Sequence, residues 1–207
     1  MVSAVLVAVL LYFAQIYALL WIVIVAIATV TLAVLSFYRN PCRPIPQNLP
    51  AGSMISPADG VISAIEYVDS HEAVDGKAVI IRIFLSVLNV HINRAPCDCK
   101  VQKLIYREGK FLDARTEESS KVNESNLIIL TTGNLWFGLR QVSGKLAKRI
   151  ICPLSEGETL KQGEQFGMIT LGSTTELILP MMPELIIHIT RGQRVKGGIT
   201  LLAQIEQ

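Results

Sequence analysis

No charged side chain occurs between Met1 and Tyr38, and this feature constrains the chain more than any other. Gln15 holds the only side-chain amide in the run. As one helix, the run would be longer than about 50 Å, whereas the hydrocarbon core of a bilayer is about 30 Å thick. It therefore predicts a membrane anchor. Neither glycine nor proline marks a turn within it, so both one long tilted helix and a hairpin of two short helices fit the sequence.

Two arginines, Arg39 and Arg43, follow the apolar run at once. Because short basic flanks of membrane helices lie on the cytoplasmic side, we expect the anchor in the inner (cell) membrane and the remainder in the cytoplasm. The four cysteines agree with that compartment, since thiols stay reduced there. A secretory signal peptide has a basic start and a shorter apolar core, and this run has neither.

Charge and cysteine spacing argue against two classes of function. The net charge of +2 is too small to indicate binding of nucleic acid. Cys97 and Cys99 flank an aspartate, yet no second pair of cysteine or histidine residues stands at a spacing typical of metal ligands. We therefore expect no nucleic-acid partner and no metal site.

Residues 40–50 contain four prolines, which predicts an extended linker. The expected organisation is a membrane anchor over residues 1–38, a proline-rich linker over 39–54 and a β domain over 55–207. The last segment is long enough for one compact domain with its own core.

Beyond the linker, short apolar and β-branched runs separated by turn residues predict strands. The predicted strands cover residues 61–65, 77–85, 101–106, 127–131 and 135–142. Helix is expected only in part of 113–120 and part of 144–149. The predicted fold is therefore mainly β with few short helices, preceded by an N-terminal transmembrane helical segment.

One internal repeat is visible in the C-terminal half. Residues 157–163 recur as residues 192–198, with a glycine at each end of the six-residue step. Such glycines let a chain turn the corner between sheets in a small sandwich or barrel. The repeat resembles the hammerhead turn of biotinyl, lipoyl and sugar-phosphotransferase carrier domains. It favours a barrel-sandwich-like architecture for the β domain.

Gly172 and Ser173 lie between two apolar, β-prone runs. Glycine leaves its carbonyl unshielded and tolerates backbone conformations that other residues avoid. The hydroxyl of a serine directly after it can therefore reach the carbonyl of its own preceding residue. Glycine and serine are also common in ordinary turns, so the junction gains meaning only from the motifs upstream.

Three polar motifs precede this junction. Asp59 stands between a proline and a glycine at the mouth of a predicted strand. His91, Asn93 and Arg94 lie in a predicted loop after another strand. Glu124 belongs to a polar cluster that opens a third strand. Each motif alone is compatible with a structural role in a turn or loop.

In this order the motifs resemble the phosphatidylserine decarboxylase family, specifically its short bacterial and archaeal type. The resemblance extends from Ser36 to Ala203. Its six motifs lie at 37–43, 56–60, 91–96, 123–126, 138–150 and 171–174. Four positions depart from the family pattern: Arg94 replaces a second histidine of longer members, Asn89 replaces an aspartate, Ser125 replaces an arginine, and Leu171 replaces the glycine that begins the cleavage motif in many members.

The resemblance implies that the chain processes itself. Asp59, His91 and Ser173 would form a triad in which the histidine takes the proton of the serine hydroxyl and the aspartate orients the histidine. Attack on the Gly172 carbonyl would give an ester, and β-elimination would then cut the chain between residues 172 and 173. The resulting large and small chains would form a heterodimer, with further oligomerisation left open.

The resemblance also implies an activity. The new N-terminus of the small chain would become a covalent pyruvoyl group derived from Ser173, whose ketone accepts the electrons released as carbon dioxide leaves the substrate. Phosphatidylserine, a phospholipid of the membrane, would be decarboxylated to phosphatidylethanolamine in phospholipid biosynthesis. Arg94, Asn93 and Glu124 are the candidate substrate-binding residues.

Two other functions stay open on the sequence. An archaeal source would imply the same chemistry on ether-linked archaetidylserine. A non-enzymatic carrier or binding module on a barrel-sandwich fold, with His91 as a phosphoryl acceptor, is the second. Such a module would need neither the Gly-Ser junction nor a membrane anchor.

Overall fold

The computed structural model describes residues 2–113, 117–145, 149–170 and 172–206. The chain falls into two compact units, Met1–Arg39 and Asn40–Gln207. The first unit is formed by one continuous helix, α1 (Val2–Phe37). The second is called the β unit below.

Helix α1 has no polar face. Its side chains are exposed on all sides over residues 9–36, and the stretch Val5–Phe37 is long and apolar enough to cross a membrane. A helix that is apolar all round is typical of membrane spans. Of the two arrangements that the sequence allows, the structure has the single helix, in agreement with the lack of glycine and proline in the run.

The described part of the β unit consists mainly of strands. They are β1 (Ser53–Ile55), β2 (Gly60–His71), β3 (Gly76–Leu85), β4 (Ile92–Arg94), β5 (Cys99–Arg107), β6 (Ser125–Thr132), β7 (Leu135–Val142), β8 (Ile150–Ile151), β9 (Thr159–Leu160), β10 (Gln165–Ile169), β11 (Ser173–Pro180), β12 (Leu185–Ile187), β13 (Arg194–Val195) and β14 (Leu201–Ile205). A short helix, α2 (Glu117–Val122), lies between β5 and β6.

These elements confirm the predicted mainly β fold. The five predicted strands correspond to β2, β3, β5, β6 and β7, and α2 overlaps the first predicted helical region. The second predicted helix, within 144–149, falls partly on residues 146–148, which lie outside the described residues. Gly144, Lys145 and Arg149 are not helical.

The strands form three sheets. The largest has the order β13-β2-β3-β11-β7-β6-β5-β9, and the two smaller ones have the orders β1-β14-β12 and β4-β10-β8. Strands β2 and β3 form a hairpin, as do β6 and β7, because each pair is joined by a short turn. Strand β11 comes from far along the chain and pairs with β3 on one side and β7 on the other. Its first residue, Ser173, therefore starts a central strand.

Because successive side chains of a strand point to opposite faces, the apolar core is divided between the two faces of the large sheet. Ile81 of β3 and Leu177 of β11 belong to the larger hydrophobic cluster. Ile80 and Ile178 belong to a smaller cluster on the opposite face. Ser173 lies four residues before Leu177, so its side chain is on the face of the larger cluster.

The two glycine-flanked turns of the repeat have the same backbone geometry. Gly157 and Gly192 have φ of 88° and 89°, and Gly163 and Gly198 have φ of 78° and 77°. All four values lie in the left-handed region that glycine adopts readily. The turns contain β9 and β13, which lie at the two ends of the large sheet. The sequence repeat is therefore a repeat of structure.

Candidate active site

Ser173 is the first residue of β11 and pairs with Leu85 of β3. Its side chain is fully buried, and its hydroxyl has no hydrogen-bond partner among the described residues, from which Leu171 is missing. Gly172 has φ of 69°, in the region that favours glycine over residues with a Cβ. Because buried polar groups are nearly always paired, an unpaired hydroxyl at this place indicates a functional role.

The imidazole of His91, in the loop between β3 and β4, lies against the junction. Its Nε2 accepts a hydrogen bond from the N–H of Gly172 at 3.3 Å, and its Nδ1 lies 2.9 Å from the carbonyl oxygen of Asn89. Since a backbone N–H can only donate, Nε2 carries a lone pair and Nδ1 carries the proton. The buried ring is therefore the neutral tautomer with its basic nitrogen toward the junction.

A tight turn holds Asn89 in place. Its side-chain oxygen accepts hydrogen bonds from the N–H of Ser86 at 2.9 Å and from the hydroxyl of Ser86 at 2.7 Å. Its own N–H donates to the Ser86 carbonyl at 2.9 Å. Asparagine suits such turns because its side chain bonds to nearby backbone groups. Asn89 thus closes the turn with its side chain and orients His91 with its main-chain carbonyl.

Asp59 lies between β1 and β2 and is buried. Its Oδ1 and Oδ2 both bond to the guanidinium of Arg43, with 2.7 Å between Oδ2 and Nη2, and Oδ1 also accepts the N–H of Gly197 at 2.8 Å. The hydrogen bond that Arg43 donates to Asp59 is the main cause of the raised pKa of Arg43, so the guanidinium stays charged. Among the described hydrogen bonds of Asp59, none goes to His91.

The predicted triad is therefore brought together only in part. The N–H of Arg94 donates to the Pro57 carbonyl at 2.9 Å, so Asp59 lies near Arg94, the last residue of β4. His91 lies at the other end of β4, directly before its first residue. The group that orients the imidazole in the structure is the Asn89 carbonyl. Sequence reasoning missed this arrangement because a basic residue after an apolar run, Arg43, is expected at the membrane surface and not inside a fold.

Arg94 is bound to the linker. Its guanidinium donates to the carbonyl of Gly163 at 3.0 Å, to the side chain of Asn40 at 3.1 Å and to the carbonyl of Pro41 at 3.3 Å. Burial, followed by the neighbouring charge of Arg43, lowers the pKa of Arg94. The described hydrogen bonds of this arginine hold the linker on the β unit, and they do not reach the junction.

Asn93 belongs to a chain of buried polar side chains on the inner face of the large sheet. It donates to the hydroxyl of Thr175 at 2.9 Å and accepts from Gln141 at 2.9 Å, and Gln141 accepts from Asn126 at 3.3 Å. Thr175 follows Ser173 by two residues, so the two side chains share a face. Asn93 therefore ties β4 to β11 next to the serine.

Glu124 and Ser143 extend the same polar face. Glu124, directly before β6, accepts a hydrogen bond from the Tyr106 hydroxyl at 2.7 Å, and this bond raises the pKa of Tyr106. Its second oxygen has no partner within the described chain. Ser143, directly after β7, has a buried hydroxyl that is likewise unpaired there. The sequence analysis singled out Glu124 as a site residue but not Ser143, although Ser143 lies within the 138–150 motif, because one small polar residue at a strand end carries no local signal.

Together, Ser173, His91 and Gly172 can carry out a nucleophilic attack within the chain. A neutral imidazole next to a serine hydroxyl can take its proton, and the imidazolium formed is stabilised through Nδ1. Burial keeps bulk water away from the reacting bond.

Several known proteins with similar sequences share one description. A family model described as phosphatidylserine decarboxylase matches residues 30–203. The chain is 42% identical to the phosphatidylserine decarboxylase proenzyme of Carboxydothermus hydrogenoformans, over 84% of this chain and 81% of that protein. It is 40% identical to the proenzyme of the same name from Rhodopirellula baltica, over 90% of this chain and 78% of that protein. A third such proenzyme, from Desulfotalea psychrophila, is 40% identical over 83% of this chain and 78% of its own length.

Proposed function

The chain belongs to the phosphatidylserine decarboxylase family and is a decarboxylase, and on this premise we propose that it converts phosphatidylserine to phosphatidylethanolamine and carbon dioxide with a pyruvoyl group made from Ser173. The observation that carries the proposal is the buried hydroxyl of Ser173, unpaired among the described residues and directly after a glycine with positive φ whose N–H donates to the basic Nε2 of His91. The relatives are named proenzymes, which agrees with a chain that requires processing.

The cleavage starts at the hydroxyl of Ser173. Nε2 of His91 takes its proton, the oxygen attacks the carbonyl carbon of Gly172, and the peptide bond breaks to leave an ester. Loss of the Cα proton of residue 173 and departure of the Gly172 carboxylate then separate the two chains. Addition of water and loss of ammonia leave a ketone at the new N-terminus. The Asn89 carbonyl accepts a hydrogen bond from Nδ1–H throughout, and so favours the imidazolium.

In this proposal Asp59 is a positioning residue. Its carboxylate joins Arg43 of the linker to Gly197 of a turn. Because these bonds lie next to the end of β4, they fix the strand that follows His91.

The surroundings of residue 173 fit a pyruvoyl group. Such a group supplies a ketone that accepts the electrons released when carbon dioxide leaves. Residue 173 is fully buried and lies beside β3 and β7. The chain therefore holds this position in a fixed place and limits the access of water.

The large chain, 1–172, and the small chain, 173–207, would stay associated as a heterodimer. The small chain supplies β11, which pairs with β3 and β7, and β14, which pairs with β1. Both strands contribute buried apolar side chains, among them Leu177 and Leu202, to the larger cluster. The cut would therefore leave the fold intact.

We place the enzyme in the inner membrane with the β unit in the cytoplasm, because α1 is apolar throughout and Arg39 follows it. Arg43 does not support this orientation, since its charge is paired with Asp59. Family membership removes the carrier-module alternative. Archaetidylserine presents the same serine headgroup, so assays with diacyl and ether lipids distinguish the two substrates.

Replacing the nucleophile tests the proposal. The wild-type protein should show a fragment of about 35 residues on denaturing electrophoresis, react with hydroxylamine through its ketone, and decarboxylate phosphatidylserine. Ser173→Ala should remove all three properties, and Ser63→Ala, a serine on β2 outside the site, should keep them. A Ser173→Ala protein that still decarboxylates would contradict the mechanism, and so would an active wild-type protein that stays as one chain of 22.7 kDa.

A further inference from the structure

Three buried side-chain oxygens have no hydrogen-bond partner among the residues that the structure describes: Oγ of Ser173, Oγ of Ser143 and Oε2 of Glu124. The cleavage reaction accounts for the first and leaves the other two unexplained. Because buried polar atoms are normally paired, two unexplained ones close to a reacting residue indicate a place for a ligand.

Strand register places the three side chains in one row. Val142, the last residue of β7, pairs with Thr174 of β11 on one side and with the first residue of β6 on the other. Extending this register by one step toward the strand ends aligns Ser143 with Ser173 on one side and with Glu124 on the other, and the N–H of Ser143 donates to the Glu124 carbonyl at 2.9 Å. Directly opposed residues have Cβ atoms about 4.5–5.5 Å apart and share a face. These three residues are called the polar row.

The next row shows which face the polar row occupies. Two residues away on the same strands lie Thr175, Gln141 and Asn126. Asn93 links Thr175 to Gln141 by side-chain hydrogen bonds of 2.9 Å, and Asn126 donates directly to Gln141 at 3.3 Å. Side chains two residues apart on a strand lie on the same face. The polar row therefore faces the interior of the β unit, on the side where β4 packs.

Neighbouring groups hold the polar row in position. Asn123 donates from Nδ2 to the carbonyl of Ser143 at 2.8 Å, and it bonds both main-chain groups of Leu112 at 2.8 and 3.0 Å. Tyr106 occupies the first carboxylate oxygen of Glu124 at 2.7 Å. The backbone of Ser143 and one oxygen of Glu124 are thus fixed, and the remaining oxygen and the Ser143 hydroxyl are available to a ligand.

We propose that Glu124 and Ser143 form the subsite for the primary ammonium group of the substrate, an inference that rests on the proposed function. A buried carboxylate calls for a cation, and the ammonium group is the cation of a serine headgroup. An ammonium group must lose a proton before its nitrogen can react with a ketone. The polar row places a proton acceptor, Glu124, two strands away from residue 173, with the hydroxyl of Ser143 between them.

The proton moves along the polar row in two linked transfers. The ammonium group gives a proton to the oxygen of Ser143, and Ser143 gives its own hydroxyl proton to Oε2 of Glu124. The amine is left with a lone pair beside residue 173, the hydroxyl is restored, and Glu124 becomes a neutral acid. No further reactant is required.

Ser143→Ala and Glu124→Gln test the inference, with Ser63→Ala as a matched control. Each variant should cut itself and react at the wild-type rate with hydroxylamine, an amine that is uncharged at neutral pH. Capture of phosphatidylserine from mixed micelles, trapped on the small chain with cyanoborohydride and measured by mass spectrometry, should be about 100-fold slower at pH 7 in both site variants. Higher pH should restore much of this rate, because the amine then loses its proton to solvent.

Ser143→Thr, which keeps a hydroxyl, should retain capture and so separates loss of the hydroxyl from a change in packing. A Ser143→Ala protein that captures phosphatidylserine at the wild-type rate with the wild-type pH profile would overturn the inference. Failure of both Ser143→Ala and Glu124→Gln to cut themselves would also overturn it, since the polar row would then serve maturation. A wild-type protein that is uncut and unreactive toward hydroxylamine would remove the proposed function and this inference with it.

Discussion

The β unit contains two copies of one structural motif, and the copies differ in the side chains that surround the reacting bond. The first copy combines β1 and the start of β2 with the turn 192–198, and the second combines β4 and the start of β5 with the turn 157–163. Strand β1 begins at Ser53 and β4 begins at Ile92. The starts of β2 and β5 are separated by the same number of residues as the starts of β1 and β4.

The main-chain hydrogen bonds of the two copies correspond. The N–H of Gly192 donates to the carbonyl of Ile62 at 2.8 Å, and the N–H of Gly157 donates to the carbonyl of Val101 at 2.8 Å. Ile62 and Val101 are separated by the same offset as the strand starts. The copies thus share a backbone framework that does not depend on the chemistry of either one.

Asp59 and Asp98 occupy equivalent places in this framework. Oδ1 of Asp59 accepts the N–H of Gly197, and Oδ1 of Asp98 accepts the N–H of Gln162, both at 2.8 Å. Since both copies have this bond, it belongs to the fold and not to the reaction. An aspartate whose motif suggests a catalytic role, such as Asp59, therefore also has a structural role.

The ion pairs of the two aspartates differ in their exposure to solvent. The side chains of Arg43 and Asp59 are only 9% and 12% exposed, whereas those of Lys161 and Asp98 are 83% and 62% exposed. A buried ion pair is strongly coupled to the fold because neither charge can be solvated alone. The exposed pair is screened by water and contributes little.

His91 has a glycine as its counterpart in the first copy. The N–H of Ile169 donates to the carbonyl of His91 at 3.2 Å, and the N–H of Ile205 donates to the carbonyl of Gly52 at 3.0 Å. The same backbone position thus carries an imidazole in one copy and no side chain in the other. The shared backbone framework therefore places residues at equivalent positions in both copies, and a single side chain such as His91 makes one of these positions reactive.

The largest effect is expected from His91→Gly, which gives the second copy the residue that the first copy has at the equivalent position. Self-cleavage should slow by about 100-fold to 10,000-fold, because the base next to the junction is lost. The melting temperature should also fall, because glycine leaves a cavity in place of a fully buried imidazole, so cleavage is compared at a temperature at which the variant stays folded. Electrophoresis over time measures the cut, and added imidazole should restore part of the rate. Cleavage at the wild-type rate would show that His91 is not the base.

A smaller effect is expected from Asp59→Asn. The variant keeps an acceptor for the N–H of Gly197 but leaves the charge of Arg43 buried without a counter-ion, which should lower the free energy of unfolding by about 3–5 kcal/mol. Chemical denaturation measures this loss. In the double variant with Arg43→Met most of the loss should disappear, because the unpaired charge is gone. Losses that simply add would show that the two residues are not coupled.

The smallest effect is expected from Asp98→Asn, the same change in the other copy. At neutral pH it should lower the free energy of unfolding by no more than about 0.5 kcal/mol, because the pair is exposed. The N–H of Gln162, and then Lys161, lower the pKa of Asp98 below its ordinary value of 3.8. The unfolded chain therefore binds the proton first, so this contribution is complete above about pH 4 and is lost as the pH falls further.

Stability curves of the wild type and Asp98→Asn should accordingly differ at neutral pH and meet in acid. A loss as large as that of Asp59→Asn would remove the distinction between the two copies. Identical curves at every pH would show that the charge of Asp98 makes no contribution to stability.

The longer strands and the turns of the repeat could be predicted because their signals are local. Strands β3 and β7 are eight or more residues long, enough for apolar and β-branched residues to form a pattern. Gly157 and Gly192 could be recognised as turn residues because their positive φ depends on the residue itself. Strands β4 and β8 were not predicted, since two or three residues carry no periodicity.

The candidate site could be predicted only in part, for the same reason. The Gly-Ser junction and His91 were predicted from the order of the motifs that resemble the family, since each motif alone also fits a structural role. The role of the Asn89 carbonyl was missed because a main-chain group has no signature in a sequence. Ser143 was missed because its position depends on the register between β7 and β11, which are far apart in the chain.

By itself, the sequence determined that one apolar run is long enough to cross a membrane as a helix, that the remainder of the chain is mainly β, and that a glycine and a serine meet at one junction. Only the tertiary structure decided that β11 lies between β3 and β7, that Asp59 pairs with Arg43, and that Ser143 lies opposite Ser173. The physical reason is the range of the interactions. Backbone preferences and hydrophobic periodicity act between residues close in the chain, whereas strand pairing and the partner of a buried charge depend on residues that only folding brings together.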